Sequence, residues 1–411
     1  MTVQHKGEAT PAVKKKNFLR YLGPGLITAA LMVGPGSVTL SSKIGAIYGA
    51  ELVWTLVIAV VLMMGYTEMS ARIGIAANGT FIGVVKEKMG VGIGAIIGIG
   101  AFLVTTSFQA GNAIGTGIAV EAVTGINAKV WIVTLTLLAI SLLFFKQFYQ
   151  LLEKLMLGLV VLMLGTFLIT TLIVRPSLHD IFSGFIPTLP EGSIGLVVAL
   201  FATSFSIVGA VYQSYLVREK GLGLKDAKAS GQEAIFGIFL LGIISFLIMI
   251  TAATVLKPVG IVVDNAVEMG EALRPSFGSY ATFIFMLGLF GASFSSLIGN
   301  ATIGGSLLSD GFGFGKNLKD KKVRMAIIAV MTFGSIVALL FDGAPVNLII
   351  FAQGITIFIV PVIAIVILLM ANRKDVMGEL KNGLLSNTLG VIGLLVLLYL
   401  AFTNFKNIFL T

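Results

Sequence analysis

Long apolar segments alternate with short polar ones along almost the whole chain. A helix of about 18 to 25 apolar residues is long enough to cross the ~30 Å hydrocarbon core of a bilayer. We therefore predict eleven membrane spans, near residues 21–48, 51–74, 92–124, 130–147, 155–175, 193–216, 234–256, 279–304, 325–341, 345–371 and 384–403.

The first span is interrupted by the tetrapeptide Gly34-Pro35-Gly36-Ser37. Proline has no amide hydrogen to donate and glycine has no side chain to cover the backbone, so we expect the helix to break here. Lipid cannot satisfy the freed N–H and C=O groups, and such a break is tolerated only where protein surrounds it or where it lines a cavity. Paired broken helices form the substrate site of many secondary transporters.

The sixth span is interrupted as well, because small and hydroxyl residues fill it from Thr203 to Ser214. Breaks in the first and sixth spans predict two five-helix repeats, at about 18–175 and 193–371, followed by an extra helix at about 384–403. An odd number of spans in each repeat requires inverted topology. The predicted fold class is an all-α polytopic membrane protein with broken first and sixth helices.

Composition agrees with a single membrane domain. Hydrophobic residues make up 57% and charged residues 11% of the chain, which excludes an ordinary soluble protein. The leading segment 1–17 is polar and basic without an apolar run, so we expect a disordered cytoplasmic tail rather than a signal peptide. The transporter domain is then expected over 18–411, with the lipid bilayer around it.

The net charge of +9 is explained by topology rather than by a nucleic-acid partner. Basic residues concentrate in the loops of one side, which the positive-inside rule identifies as cytoplasmic. An odd number of spans then places the N-terminus in the cytoplasm and the C-terminus outside the cell membrane. The basic residues of the inner side are Lys14, Lys15, Lys16, Lys86, Lys88, those from Arg218 to Lys228, those from Lys316 to Arg324, Arg373 and Lys374.

Several kinds of chemistry are excluded by residues that the sequence lacks. There is no cysteine, and the two histidines, His5 and His179, lie in the leading tail and in an outer loop. Thiolate metal ligands and an intramembrane imidazole relay are therefore excluded. Nucleotide-binding loops, zinc-protease motifs and intramembrane carboxylate pairs are missing too, so we expect neither an enzyme nor a cofactor.

The two breaks present opposite helix ends to the middle of the membrane. The second half of span 1 begins at Ser37, and its positive dipole end favours an anion or a carboxylate. The first half of span 6 ends near Thr203 and Ser204, where free carbonyl groups favour a cation. Backbone geometry alone therefore leaves the charge of the substrate open.

In order along the chain, a set of short motifs resembles the Nramp family of divalent-metal transporters over almost its whole length. The resemblance implies a LeuT-like fold of two inverted five-helix repeats plus an eleventh helix. The motifs are Leu22-Gly-Pro-Gly-Leu, the Gly34 to Ser37 break followed by Gly45 and Gly49, Ser70-Ala-Arg-Ile-Gly-Ile-Ala, Ala113-Ile-Gly-Thr, Pro187-Thr-Leu-Pro-Glu-Gly-Ser, Ala352-Gln-Gly and Met377-Gly-Glu.

The metal ligands of the family are replaced in this chain. In the family motif Asp-Pro-Gly-Asn an aspartate and an asparagine coordinate the ion, whereas Gly34 and Ser37 stand at those positions. Ser206 stands where the sixth span of the family has a metal-binding methionine. Gln109 and Asn112 align with an aspartate and a glutamate of the third span that are linked to proton passage. The resemblance therefore implies a metal site and a proton route without charge.

Two substrate classes remain open. In the first, a largely hydrated Mg²⁺ or Mn²⁺ is held without proton coupling, as the resemblance to Nramp-related magnesium transporters implies, because Mg²⁺ dehydrates reluctantly and the soft thioether is lost. In the second, the carboxylate of an amino acid or organic acid binds the amides at the break. The predicted substrate-binding residues are Gly34, Gly36, Ser37, Thr203, Ser206, Gln109, Gln213 and Gln353, with Ser37, Thr203 and Ser206 as metal ligands through water.

Other polar residues are assigned by position. Asn112 and Lys43 are assigned to the transport pathway or to coupling. For Lys43, the reason is that a charged side chain within the membrane is costly and is functional by default. Glu68 and Arg72 have the spacing of a helical ion pair. Asn300 is expected to serve packing. The sequence leaves the oligomeric state open and is compatible with a monomer.

Overall fold

The computed structural model describes residues 34–145, 148–315, 317–341 and 345–409, which form α-helices joined by short loops and 3₁₀ turns. The helices are α1 (Pro35–Tyr48), α2 (Val53–Ala76), α3 (Phe81–Met89), α4 (Val91–Thr124), α5 (Ala128–Leu142), α6 (Phe148–Val174), α7 (Leu178–Ser183), α8 (Ile194–Ser204), α9 (Ile207–Glu219), α10 (Ala227–Val255), α11 (Ala266–Glu271), α12 (Arg274–Phe277), α13 (Ala281–Phe312), α14 (Lys321–Leu340), α15 (Pro345–Ile355), α16 (Val360–Asn372), α17 (Lys374–Met377) and α18 (Leu384–Phe409).

The long apolar helices of the structure largely coincide with spans predicted from the sequence. Within the described ranges, seven helical segments are long and apolar enough to cross a membrane, and α15 and α16 together make an eighth span with a bend of 47°. Helices α5 and α6 overlap the predicted fourth and fifth spans but begin before them, at Ala128 and Phe148. The predicted tail 1–17 and the part of the first span before Gly34 lie outside the described residues. The chain is an integral membrane protein.

The predicted break in the sixth span is confirmed between α8 and α9. Phe205 has φ −105° and ψ 60°, and Ser206 has φ −76° and ψ 85°, so both residues leave the helical region. Tyr66 of α2 packs edge-on against the Phe205 ring at a centroid distance of 5.3 Å. The Tyr66 hydroxyl also donates a hydrogen bond to the carbonyl of Gly390 in α18, at 2.8 Å. The break is therefore held between two spanning helices.

Helix α1 begins inside the predicted first break. Gly34 is extended, with φ −115° and ψ −179°, and Pro35 is the first helical residue. Proline suits this position because the first N–H groups of a helix have no partner within it. The Gly34 carbonyl accepts the N–H of Val38 at 3.3 Å. Helix α1 therefore starts within the tetrapeptide where the sequence predicted the interruption.

The tenth span is also broken, although its apolar pattern predicts a single helix over 345–371. Helix α15 and its 3₁₀ extension end before Ile359, and α16 starts at Val360 with Pro361 as its second residue. Proline cannot donate to the preceding turn, and it disfavours helical geometry at the residue before it. The last turn of α15 carries Gln353, so this third break lies next to a predicted site residue.

The core of the bundle is built around the breaks. Helix α13 packs along α4, α10 packs against α1 and α2, and α15 packs against α4 and α8. Helix α13 runs on to Phe312 although the predicted span ended at 304, so Asp310 lies in a buried helical turn rather than in a loop. The start of α1 and the breaks α8–α9 and α15–α16 therefore meet in the middle of an apolar core.

The two ends of the bundle carry different connections. At the α7 end, Lys43 of α1 pairs with Asp264 at 2.8 Å. At the opposite end, which we call the α3 end, the predicted Glu68–Arg72 ion pair is confirmed at 2.6 Å. The Arg72 guanidinium also donates to the Leu380 carbonyl at 2.7 Å. This arginine therefore ties α2 to the segment that precedes α18.

Candidate functional site

A small polar cavity lies where the broken helices meet. It measures about 10 Å³, which is about the space that one water molecule needs. A largely hydrated ion, as predicted from the sequence, therefore needs a conformation with a wider cavity than this one. The lining residues are Gly34, Phe108, Asn112, Thr203, Ser206, Asn300 and Gln353. All of these are buried except Ser206 and Asn300, which are partly exposed.

The break in the sixth span supplies free carbonyl groups to this region. Helix α8 ends at Ser204, and the carbonyl groups at the C-terminus of a helix have no regular partner within it. The C-terminal ends of α8 and α15 both lie at the cavity, and each carries the negative end of a helix dipole. The N-termini of α1 and α9, capped by Gly34 and Ser206, present positive ends at the same cavity. The helix dipoles therefore balance, and it is the oxygen donors of the lining residues that favour a cation.

Gln353 lies across the break in the first span. A methyl group on Gly36 would overlap the Gln353 amide nitrogen and would lie 2.7 Å from its Cδ. The side chain is 4% exposed, and its Oε1 accepts no hydrogen bond within the described part of the chain. A buried acceptor without a donor is unfavourable by about 1–3 kcal/mol. Gln353 is therefore an oxygen ligand available at the cavity.

A hydrogen bond joins the first and sixth spans. The hydroxyl oxygens of Ser37 and Thr203 lie 3.1 Å apart and are buried. Thr203 lines the cavity, whereas Ser37 lies behind it. The structure therefore brings together five of the predicted substrate residues at the breaks, namely Gly34, Gly36, Thr203, Ser206 and Gln353, and places Ser37 directly next to them.

Three other predicted residues lie away from the cavity. Gln109 is fully buried, and its Nε2 donates to the Leu297 carbonyl at 2.7 Å rather than lining the cavity. Gln213 is buried in α9, seven residues beyond Ser206, which is about 10 Å along a helix. Lys43 points to the α7 end, where it pairs with Asp264. The roles assigned to Gln109, Gln213 and Lys43 remain predictions.

Two functional candidates were not predicted from the sequence. Asn300 of α13 lines the cavity, although it was assigned to packing. Its signal was present, because an amide in the middle of an apolar span needs a partner or a ligand. Asp310 is the second, a carboxylate that is 1% exposed and accepts the Tyr215 hydroxyl at 2.6 Å. Asp310 lies beyond the predicted eighth span, which ends near residue 304.

The cavity is neutral. None of its lining residues is titratable, and no group of three or more histidine, cysteine, aspartate or glutamate residues could hold a metal ion within the ranges that the structure describes. Its donors are carboxamides, hydroxyls and main-chain carbonyls. Oxygen donors of this kind suit hard cations such as Mg²⁺, Mn²⁺ and Ca²⁺ rather than soft transition metals.

Apolar spanning helices that break around a central polar cavity define the class of secondary membrane transporters. The family model described as "Natural resistance-associated macrophage protein-like", Nramp, matches residues 25–405. The chain belongs to the Nramp family.

Individual relatives agree with this assignment and are transporters rather than enzymes. The divalent metal cation transporter MntH of Deinococcus radiodurans is 26% identical over 391 residues, which cover 91% of this chain and 86% of that protein. The divalent metal cation transporter MntH of Yersinia pestis is 22% identical over 398 residues, which cover 95% of each chain.

Solved structures show the same fold. The crystal structure of a variant of the manganese transporter of Eremococcus coleocola superposes with a TM-score of 0.81 at 18% identity, covering 97% of this chain and 89% of that one. The structure of MhsT in complex with L-phenylalanine gives a TM-score of 0.57 at 12% identity, covering 92% and 98%. The predicted LeuT-like fold of inverted repeats is confirmed.

Proposed function

We propose that this chain is a secondary transporter that moves a divalent cation, Mg²⁺ or Mn²⁺, across the cell membrane by alternating access and without proton coupling. The observation that carries the proposal is the neutral oxygen-lined cavity between the C-terminal ends of α8 and α15. The relatives named as divalent metal cation transporters support the same substrate class.

A neutral site changes how the ion is held. A dication without an anionic ligand loses hydration energy that one carboxylate would otherwise offset, so an ion held by neutral oxygens keeps part of its water. The cavity has room for about one water-sized group, so the ion enters in a wider conformation and exchanges some waters for protein oxygens. Ser37, Thr203 and Ser206 then act as ligands directly or through water.

The amino-acid or organic-acid alternative is less favoured. A carboxylate substrate would place its negative charge beside the carbonyl ends of two helices, at Thr203 and Gln353, as well as beside the N-termini of α1 and α9. A cavity of about 10 Å³ excludes an organic substrate in this conformation.

Purified protein in liposomes is expected to move Mg²⁺ or Mn²⁺ down its gradient with a rate that saturates. Replacing Gln353 by leucine is expected to lower this flux at least about tenfold, because it removes the buried oxygen of the cavity. Gln232→Leu is a matched control, since Gln232 is an exposed amide on α10. Uptake of an amino acid with no uptake of Mg²⁺ or Mn²⁺ would refute the proposal. A flux that never saturates with ion concentration would indicate a channel.

Flux is also expected to be independent of pH between about 5.5 and 7.5, the range in which a histidine or a perturbed carboxylate titrates. The reason is that no lining residue is titratable. A pH-sensitive dye inside the liposomes is expected to report no change during uptake. A lumen that acidifies together with Mn²⁺ entry would show proton coupling and contradict this prediction.

A further inference from the structure

The orientation of the Asn112 amide is set by a chain of hydrogen bonds. A main-chain carbonyl can only accept, so the group that Gln109 presents to the Leu297 carbonyl at 2.7 Å is its NH₂. The Gln109 oxygen then accepts the Asn112 NH₂ group at 3.4 Å. The amide oxygen of Asn112 must therefore point away from Gln109.

The Asn112 oxygen points toward the first helix break. It lies 3.4 Å from the position that a Cβ atom on Gly34 would occupy, and the Ser296 hydroxyl lies 3.1 Å from the same point. Helices α4 and α13 thus fill the space beside Gly34 with polar atoms. A side chain at position 34 would be crowded by oxygens that already lie there.

Two further carboxamides face the same cavity. Gln353 brings its unpartnered, buried Oε1 from α15, and Asn300 lines the cavity from α13. No hydrogen bond engages the Asn300 side chain within the described residues. Amides from three helices therefore surround one small volume, and an oxygen-binding cation would satisfy the buried acceptors.

We infer that Asn112 supplies an oxygen ligand at the position left open by Gly34, with Asn300 and Gln353 as further amide ligands, and that Gln109 is the positioning residue that aims Asn112. The inference rests on the proposed cation transport and deepens it. It adds ligands from α4, α13 and α15 to those that the broken first and sixth spans provide. The site accepts hard divalent cations and gives no advantage to soft ones such as Cd²⁺.

Binding of Mn²⁺ to the purified protein, followed by electron paramagnetic resonance of the free aqueous ion, tests this assignment. Asn112→Asp keeps the shape and adds a charge, so it is expected to tighten Mn²⁺ binding about tenfold, and Asn112→Leu is expected to weaken it by a similar factor. A merely structural asparagine gives no gain on conversion to aspartate. Thr302→Val on α13 and Gln232→Leu on α10 are controls that should bind as wild type does.

The role of Gln109 is tested by a double-mutant cycle. Gln109→Leu is expected to weaken Mn²⁺ binding about threefold alone and to have no further effect in the Asn112→Leu background, because it acts only through Asn112. If the Asn112→Leu variant does not elute from a sizing column as a single species, the Asn112→Ser variant takes its place in the cycle.

The outcomes separate the two proposals. If wild type binds and moves Mn²⁺ while Asn112→Asp leaves the affinity unchanged or lower, the ligand assignment is wrong and the transport proposal stands. An equal effect of Gln109→Leu in both backgrounds refutes the positioning role. If wild type neither binds nor moves Mn²⁺ or Mg²⁺, the proposed function fails, and the ligand assignment fails with it.

Discussion

Replacing Gly45 by alanine is expected to abolish transport and to lower the free energy of unfolding by about 1–3 kcal/mol. Gly45 lies in α1 where this helix crosses α10. An added Cβ would overlap the main-chain carbonyl oxygen of Met249 and would lie 3.0 Å from the Cβ of Ala252. Because the obstacle is backbone, no rotamer change can relieve the overlap, and α1 must move away from α10.

The displacement of α1 would also move the site, because the same helix begins at Pro35 beside the cavity. Thermal unfolding in detergent and Mn²⁺ flux in liposomes measure the two effects. Gly65→Ala is the matched control, since a Cβ there would meet Leu389 at an ordinary 3.4 Å. Wild-type flux in Gly45→Ala would show that the α1–α10 contact tolerates a shift and would contradict the prediction.

Replacing Asp310 by alanine is the second change with a large expected effect. The Asp310 carboxylate accepts the Tyr215 hydroxyl at 2.6 Å, and its main-chain carbonyl accepts the Lys86 ammonium group. These contacts join α13, α9 and α3 at the α3 end. Loss of the carboxylate leaves the buried hydroxyl hydrogen of Tyr215 without its acceptor, which is expected to lower the free energy of unfolding by about 1–3 kcal/mol.

The Asp310 contacts are also expected to keep the α3 end closed. Because the chain has no cysteine, Ser306→Cys provides a single reporter, buried one turn before Asp310. Its labelling by a water-soluble maleimide is expected to rise several-fold when Asp310→Ala is added, as about 1 kcal/mol changes an equilibrium about fivefold. Asp310→Asn should retain most of the closure, since an amide oxygen still accepts from Tyr215. Equal labelling in all variants would show that the Asp310 contacts do not keep the α3 end closed.

Glu51→Ala is the control for a general effect of losing a carboxylate. Glu51 pairs with Lys257 at 3.5 Å at the α7 end, and the two side chains are 52% and 43% exposed. Exposed ion pairs contribute about 0–1 kcal/mol, so this variant is expected to leave both the stability and the labelling of the Ser306→Cys reporter nearly unchanged.

The breaks were predictable wherever local chemistry caused them. Gly34 to Ser37 and the small residues after Thr203 interrupt helices for reasons visible in the sequence. Pro361 carried the same signal for the tenth span, but it lies in a continuous apolar run and was treated as part of a single helix. A proline within an apolar span is therefore worth treating as a break even without flanking glycines.

The roles of the amides could not be predicted, because they depend on how helices are rotated against each other. Gln109 and Asn112 share one face of α4, and only the position of the Leu297 carbonyl on α13 decides which amide reaches the cavity. Asn300 was missed for the same reason. Its place at the cavity follows from the packing of α13 along α4, and no local pattern encodes that packing.

The hydrogen bond between Ser37 and Thr203 has a consequence for the transport cycle. It fastens the start of α1 to the last turn of α8, two half-helices that run from the cavity to the α7 end. Because of this bond, we expect the two half-helices to move as one unit and the cavity to open toward the α7 end when both move away from α4 and α13. Ser37 then couples the movement of α1 to that of α8, in addition to its proposed role as a ligand.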